Sequence, residues 1–517
     1  MMASKANTNI FDELLASGAE VLIDAATLDY YAHDVYERGA DLTAVVRPHD
    51  KGELAASVAT ATAHGLQVIP RGGGMSYTGG YTSKTAGAVL FDLAKMDRVL
   101  DINESDMTVI VEPGCTWAKL QETLKPKSLR TPFWGTLSGI YATVGGGMSQ
   151  NSIFWGSGRH GTAVQSCVSL EVVLADGTIM QTGSDFSRPY GPDLTGLFLA
   201  DTGAMGMKAS ITLRLVPEAK AHGYASFTFD THAQVLSAIG DIERAGIATE
   251  CFGFDPNLNA IRMRRDSLAT DAKQLVSMMK KQGSVLKALT EGAKVVAAGR
   301  NFMEETSFSL HVLAEGRIQE AADADISEAR LIVAQHGGKE TENTIPKIVR
   351  ANPFSPPNSM RGPEGERWAP IHGLVPHSKA VACYQAILNL FAQHQDEMDA
   401  LGVHHGTLIA AVGGSGTVIE PCLYWPDASN PFIDDMIEDA HLAKLPNLPH
   451  NPAAWALVQK LKQKIVDLFF EQGAIHFQIG RTYRYQDGLD PRAMKLLKAV
   501  KDHLDPQSKM NPGSLGL

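Results

Sequence analysis

The 517-residue sequence is poor in cysteine, in positive charge and in long apolar runs, and each shortage excludes something. Its five cysteines, Cys115, Cys167, Cys251, Cys383 and Cys422, are scattered without a CxxC pair, which excludes a disulfide framework and a zinc-ribbon spacing. They read as reduced thiols of a cytoplasmic protein. Lys and Arg number 46 against 57 Asp and Glu, a formal charge of −11. With no basic cluster, such a chain has no electrostatic footprint for nucleic acid. No window approaches the ~18 uninterrupted apolar residues of a membrane span, and the first twenty residues show no signal-peptide run. Two further absences concern nucleotides. There is no GxxxxGK[ST] loop, and no GxGxxG opening a helix with an acidic residue about 20 positions on, so neither common nucleotide fold is supported.

What is present is an alternation of short strands and helices. Residues 1–40 read as a helical lead-in. AVVRP, LQVIP, AVLFDL, TVIVEP and SLEVVLADG read as strands, and Lys51 to His64 as an amphipathic helix ended by Gly65. Asp176-Gly177 suits the turn of a hairpin. A change of texture near Glu218 opens a second region with strands SFTFD and SFSLHVLAEG, a helix over Ile326 to His336, and an aperiodic Pro/Gly/Ser-rich stretch from Ala351 to Trp368. Residues 431–472 read as mostly helical, and the chain closes on one more helix and a Pro/Gly tail.

Glycine is concentrated where strands end. Pro70-Arg71-Gly72-Gly73-Gly74-Met75-Ser76 follows a strand, Pro113-Gly114 ends another, Thr143-Val144-Gly145-Gly146-Gly147 supplies a second triple glycine, and Gly203 and Gly206 lie in a further turn. Side-chain-free backbone can approach a ligand closely and aim successive N–H groups at an anion. Four such turns within 140 residues imply a long ligand lying along the fold, with a dinucleotide as the natural candidate.

Taken together, PRGGGMSYTGG, the VEPG turn, ATVGGGMSQN, SLEVVLADG and PDLTGLFLADTGAMGMKASITLRLVP resemble the FAD-binding domain of the vanillyl-alcohol oxidase flavoprotein family, and LDPQSKMNPGSLG is similar to that family's closing segment. The family includes 4-cresol dehydrogenase and FAD-linked glycolate and D-lactate dehydrogenases. The resemblance implies an α+β protein: a two-subdomain FAD-binding domain over 41–220, an α+β substrate (cap) domain with an antiparallel sheet over 221–465, and a C-terminal segment, 466–517, returning to the flavin. It also implies that Arg71 to Ser76 hold the pyrophosphate, that Pro113-Gly114 and Thr143 to Gly147 lie along the flavin and ribityl chain, and that Gly203 to Met207 pass near an edge of the cofactor. Some members attach FAD to a histidine in the first glycine loop. Met75 stands there in this chain, so non-covalent FAD is expected.

Hydride transfer to a flavin needs a group to take or hold a hydroxyl proton, while the cofactor performs the difficult step. The richest segment for this is Gly473 to Tyr485, which reads as a strand with His476, Gln478, Gly480, Thr482 and Arg484 on one face and Arg481, Tyr483 and Tyr485 on the other. It reads either as an ordinary edge strand or as a wall of the substrate site. Tyr483-Arg484 looks like the pair with which phenol-oxidising members hold a phenolate; Ile479-Gly480-Arg481 looks like the IGR of the 2-hydroxy-acid dehydrogenases. The metal-binding motifs of the latter branch are broken here, with His476 where a glutamate is usual, so no metal is expected although His404, His405, Glu420 and His476 have ligand chemistry. His377, like His372, is a candidate base or a polar loop residue. Arg361 and Arg367 are candidate carboxylate clamps or solvent-facing arginines. Trp425 is an aromatic wall or a core residue, and the resemblance implies Tyr77 as a substrate contact, since phenol-oxidising members have a tyrosine from this region beside the substrate.

The expected activity is FAD-dependent hydride transfer from a hydroxyl-bearing carbon of a small molecule, with a lean to a 2-hydroxy acid. A para-hydroxylated benzylic or phenolic substrate and a non-catalytic flavin-binding role remain alternatives. The acceptor stays open among oxygen, a quinone and a redox protein, and a homodimer is possible.

Overall fold

The computed structural model describes residues 3–265 and 307–517. Among the described residues it contains three larger sheets and a two-stranded one, Leu129–Arg130 with Val216–Pro217. The first has four strands in the order Glu20–Leu22, Leu42–Arg47, Ala88–Asp92, Val68–Arg71. The inner pairings are parallel, so a crossover helix is required between Leu42–Arg47 and Val68–Arg71. Lys51–Ala63 supplies it, capped by Asp50, whose carboxylate accepts from the Gly52 and Glu53 N–H groups. The lead-in read as helical carries a short strand as well as helices. Glu20–Leu22 lies between helices Ala3–Ala16 and Ala25–Ala32 and pairs antiparallel along Val45 to Arg47, covering an edge that would otherwise leave backbone groups unpaired.

The second sheet has five strands in the order Val99–Asn103, Thr108–Val111, Met207–Arg214, Cys167–Val173, Ile179–Thr182, all antiparallel. Gly177 turns the last hairpin at φ +82°. The third sheet is larger and antiparallel. Its path runs Lys339–Thr341, Ala221–Phe229, Phe308–Gly316, Glu250–Phe254, His404–Val412, Gly416–Trp425, Arg367–Pro370, with Gly373–Pro376 also on Gly416–Trp425.

Alternation along the third sheet separates its two faces. Cys251, Ile409, Ala411, Ile419, Leu423 and Trp425 join a core with the helices His232–Ala245, Gln319–Gln335, His377–Gln393 and Pro452–Glu471. Phe252, Phe254, Leu313, Ala410, Val418, Cys422 and Tyr424 turn the other way and cluster with Trp134 and Trp155 of the first half. The candidate site lies on this second face. The chain end returns to the glycine loops: Met510 bridges Val68, and the Asn511 side-chain amide donates to the carbonyls of Gly80 (2.8 Å) and Thr202 (2.6 Å).

The segment 473–485 departs from its expected strand. It makes one isolated bridge, Ile475 to Leu374, and Gln478 and Gly480 take φ of +49° and +54°. Left-handed residues end the two-residue alternation, so the predicted faces do not exist.

Candidate active site

The glycine loops meet. A Cβ on Gly73 would stand 1.8 Å from the Tyr141 carbonyl oxygen, and one on Gly72 would stand 2.4 Å from Thr143 Oγ1. Only bare backbone lets the first loop lie this close to the second. Thr143 caps the helix Val144–Gln150 by accepting from Gly146 N–H at 3.2 Å, and the Pro113 carbonyl accepts from Gly145 N–H at 2.9 Å. Gly72, Gly73 and Gly146 stay partly exposed, as do residues 136–138 and 140–142.

The other glycines singled out by sequence are packed against protein. Gly114 donates to the Met96 carbonyl, Gly147 abuts Trp117, Gly203 abuts Pro70 and Gly206 abuts Val172. Gly74 closes the loop at φ +72°. The Arg71 guanidinium lies against Gly74, where a Cβ would stand 2.6 Å from it, and sits in an aromatic cage, 4.6 Å from the Tyr31 ring and 5.1 Å from that of Phe432. Met75 packs against the core beneath the third sheet, and Ser76 Oγ lies 3.1 Å from Thr78 Oγ1.

Several buried polar atoms bordering these loops have no hydrogen-bond partner: Arg71 Nε, Gln150 Oε1, Asn151 Oδ1 and Thr202 Oγ1. Unpaired buried polar groups are costly and call for a ligand or water. Donors and acceptors beside exposed glycine backbone fit the amide-like edge and phosphates of FAD.

Beside these loops, three distant parts of the chain converge. His372 is fully buried. Its ring stacks on Phe477 at 3.7 Å, and its Nε2 is held by the Phe477 carbonyl, which places the proton on Nε2 and leaves Nδ1 as acceptor. The Tyr483 hydroxyl lies 3.2 Å from that Nδ1 and accepts from the His372 backbone N–H at 2.8 Å. His476 donates through Nδ1 to the His372 carbonyl at 2.8 Å, leaving Nε2 as its basic nitrogen, and stacks on Tyr483 at 3.9 Å. Burial pushes the His372 imidazolium well below its ordinary range and His476 down to about 4, so both are neutral at neutral pH.

Tyr77 enters from the first glycine loop. Its hydroxyl accepts from Gln478 Nε2 at 3.1 Å and donates to Glu420 Oε2 at 3.4 Å. That same Glu420 oxygen is 3.9 Å from His372 Nδ1. Trp368 stands edge-on to Tyr77 at 5.7 Å. Burial raises both tyrosines well above the usual phenol range, so they act as neutral hydrogen-bonding groups.

The structure thus brings Tyr77, His476 and Tyr483 together and adds His372, Glu420, Trp368 and Gln478. Trp368 was not singled out by sequence, and His372, Glu420 and Gln478 were named without their partners, because those lie far along the chain: 111 residues separate His372 from Tyr483, and 343 separate Tyr77 from Glu420. The remaining candidates are elsewhere. Arg484 is exposed, paired with Asp467 and Asp487 and lying 4.1 Å over the Phe470 ring. Arg481 spends its guanidinium on the carbonyls of Gly79, Thr82 and Pro512 and on the Asn511 side chain, locking the loop to the chain end. Arg361 is buried on Gly365 O and Asp434. Arg367 lies over the rings of Trp425 and Trp455. Trp425 is a core residue donating to Asp427. His377 Nδ1 is 2.7 Å from Thr417 Oγ1, beside the 413–415 turn. His405 stacks on Phe391 at 3.8 Å and His404 on Tyr424 at 5.2 Å. Among the described residues, no group of three His, Cys, Asp or Glu side chains is placed to hold a metal ion.

This architecture, a glycine-looped α+β half covered by a large antiparallel sheet, defines a flavin-binding fold. It is shared with p-cresol methylhydroxylase (TM-score 0.70, 17% identity, covering 99% of this chain and 96% of that one) and with 4-ethylphenol oxidase from Gulosibacter chungangensis (TM-score 0.69, 17% identity, covering 99% and 97%). The FAD binding domain family matches residues 42–183, and the C-terminal domain of FAD linked oxidases matches residues 449–515. The chain therefore carries both of these domains of the FAD-linked oxidases. Among curated relatives, a probable mitochondrial D-lactate dehydrogenase of Danio rerio is 35% identical over 209 residues, 38% of this chain and 40% of that protein. The glycolate oxidase subunit GlcD of Bacillus subtilis (strain 168) is 28% identical over 237 residues, 45% of this chain and 50% of that protein. These matches span about half, or less, of the relatives' length. No helix of the described residues is long and apolar enough to cross a membrane.

Proposed function

We propose that this protein is an FAD-dependent oxidoreductase that removes hydride from a hydroxyl-bearing carbon of a small organic molecule. The observation that carries this reading is the convergence of Tyr77, His372, Glu420, His476 and Tyr483 on the sheet face beside the glycine loops. Bound FAD supplies the hydride acceptor. The protein supplies hydrogen bonds and a proton path. Tyr77 meets the substrate hydroxyl, and Glu420 Oε2 takes its proton through the Tyr77 phenol. Neutral His476, with Nε2 free of the bond to His372, can accept a hydrogen bond from the substrate hydroxyl and so orient it. Tyr483 keeps His372 and His476 in register rather than meeting the substrate with Arg484 as a pair. Trp368, Phe477 and the apolar sheet face exclude water.

The substrate class proposed first is a 2-hydroxy acid, supported by the relatives named for lactate and glycolate. The paired tyrosines Tyr77 and Tyr483 with Trp368 favour a second reading, a para-hydroxylated aromatic alcohol. FAD is held without a covalent link at the first glycine loop, where Met75 offers no nucleophile, and the protein is cytoplasmic. Anaerobic mixing with small hydroxy acids and with para-hydroxybenzyl alcohols tests this. Loss of the yellow flavin band with one class assigns it, and a band unchanged by both rejects catalysis in favour of flavin binding alone.

A further inference from the structure

Lys462 is a lysine from which burial has removed almost all water. It lies on the helix Pro452–Glu471 and is 9% exposed. Its ammonium lies 3.4 Å over the Tyr36 ring and donates to the Tyr77 carbonyl at 3.3 Å. It makes no ion pair among the described residues; Asp34 and Glu37 act on it at longer range. Asp34 is itself spent on the backbone N–H groups of Tyr36, Glu37 and Gly79, and Glu37 pairs with Lys84. A cavity of about 190 Å³ is lined by Lys462, Glu37, Thr78, Lys84, Arg481 and Thr482 among others. A buried cation without a carboxylate is expensive, so its retention calls for a task.

The position supplies one. Tyr77 is a hinge between two sides of the first glycine loop. Its hydroxyl meets Glu420 and Gln478, and its carbonyl accepts from Lys462. We propose that Lys462 is a positioning residue for Tyr77: from behind the loop, its ammonium fixes the Tyr77 carbonyl and thereby the direction in which the phenol faces Glu420 and the substrate. This rests on the functional reading above. Holding the residue in one orientation is how a group outside a site contributes to rate. The charged form is the one that both donates to the carbonyl and is held by the Tyr36 ring. Burial lowers the ammonium to about 8, with Asp34 and Glu37 opposing that shift and Lys84 reinforcing it. Arg481, which lines the cavity together with Lys84, stays protonated, as its guanidinium is lowered only to about 10. The hold therefore weakens as pH rises through about 8.

The test is a double-mutant cycle on the FAD-loaded protein, with wild type, K462M, Y77F and K462M/Y77F. The rate constant of anaerobic flavin reduction is measured with the substrate found above. K462M is expected to lose about tenfold or more with FAD stoichiometry retained, and the double variant to be no slower than Y77F alone. K462R is expected to recover most of the rate and to lose the decline above pH 8. The same cycle is read on the visible flavin band of the resting protein, which needs no substrate. If the wild type is reduced by neither substrate class, the oxidoreductase reading fails, and the band cycle alone decides the role of Lys462. A K462M effect that simply adds to that of Y77F, or a K462M protein indistinguishable from wild type, overturns the proposal.

Discussion

Protonation of His476 gives the most quantitative check on the site. In the folded protein its ring lies between Tyr483 and Phe469 and its Nδ1 is committed to the His372 carbonyl. Burial holds its pKa near 4, against an ordinary 6.5. Between these values the unfolded chain carries a proton that the folded one refuses, so stability rises with pH across the window. The contribution is complete above 6.5 and is lost as pH falls toward 4. Linkage across the shift gives a loss of about 2 kcal/mol between pH 7 and pH 5 from this residue alone. Asparagine at this position cannot titrate, and its side-chain N–H can still reach the His372 carbonyl. Urea unfolding of wild type and His476→Asn, at both pH values, is followed by flavin fluorescence and by circular dichroism. The wild type should lose about 2 kcal/mol more than the variant on acidification. His372, kept neutral by burial and secondarily by His476, remains in both proteins; removing His476 can only ease its shift, so it does not shrink the difference. Equal losses in the two proteins would refute the placement of a neutral, buried imidazole.

Three further outcomes follow from the geometry. Gly73→Ala must push the first loop off the Tyr141 carbonyl; an overpacking cost of about 1–3 kcal/mol predicts roughly 10- to 100-fold weaker FAD binding with secondary structure retained, measured by flavin titration. Tyr77→Phe removes the donor to Glu420 and the acceptor for Gln478; flavin reduction should slow by about 10- to 100-fold while FAD stays bound, as judged by stopped-flow absorbance. Arg484→Ala, which sequence reasoning alone would expect to cripple turnover, should leave steady-state kcat and KM near wild type, because its guanidinium is spent on surface carboxylates and the Phe470 ring.

What the sequence determined by itself was mostly local. Triple glycines after strands, the amphipathic helix from Lys51 to His64 ended by Gly65 and the Asp176-Gly177 hairpin are written in residues adjacent along the chain, because backbone freedom and helix termination act over a few positions. That was enough to find the flavin half and the loops that meet in it. Even there it did not say which glycines stay open: Gly72, Gly73 and Gly146 do, whereas Gly114, Gly147 and Gly206 serve packing. The substrate side was decided by tertiary structure. Alternation assigned Arg484 to the same face as His476, but left-handed turns at Gln478 and Gly480 sent it to the surface and brought Tyr483 inward. His372, Glu420 and Lys462 gain their meaning only from partners a hundred or more residues away. No pattern of neighbouring letters encodes such contacts; burial and hydrogen bonding between separately folded elements select them.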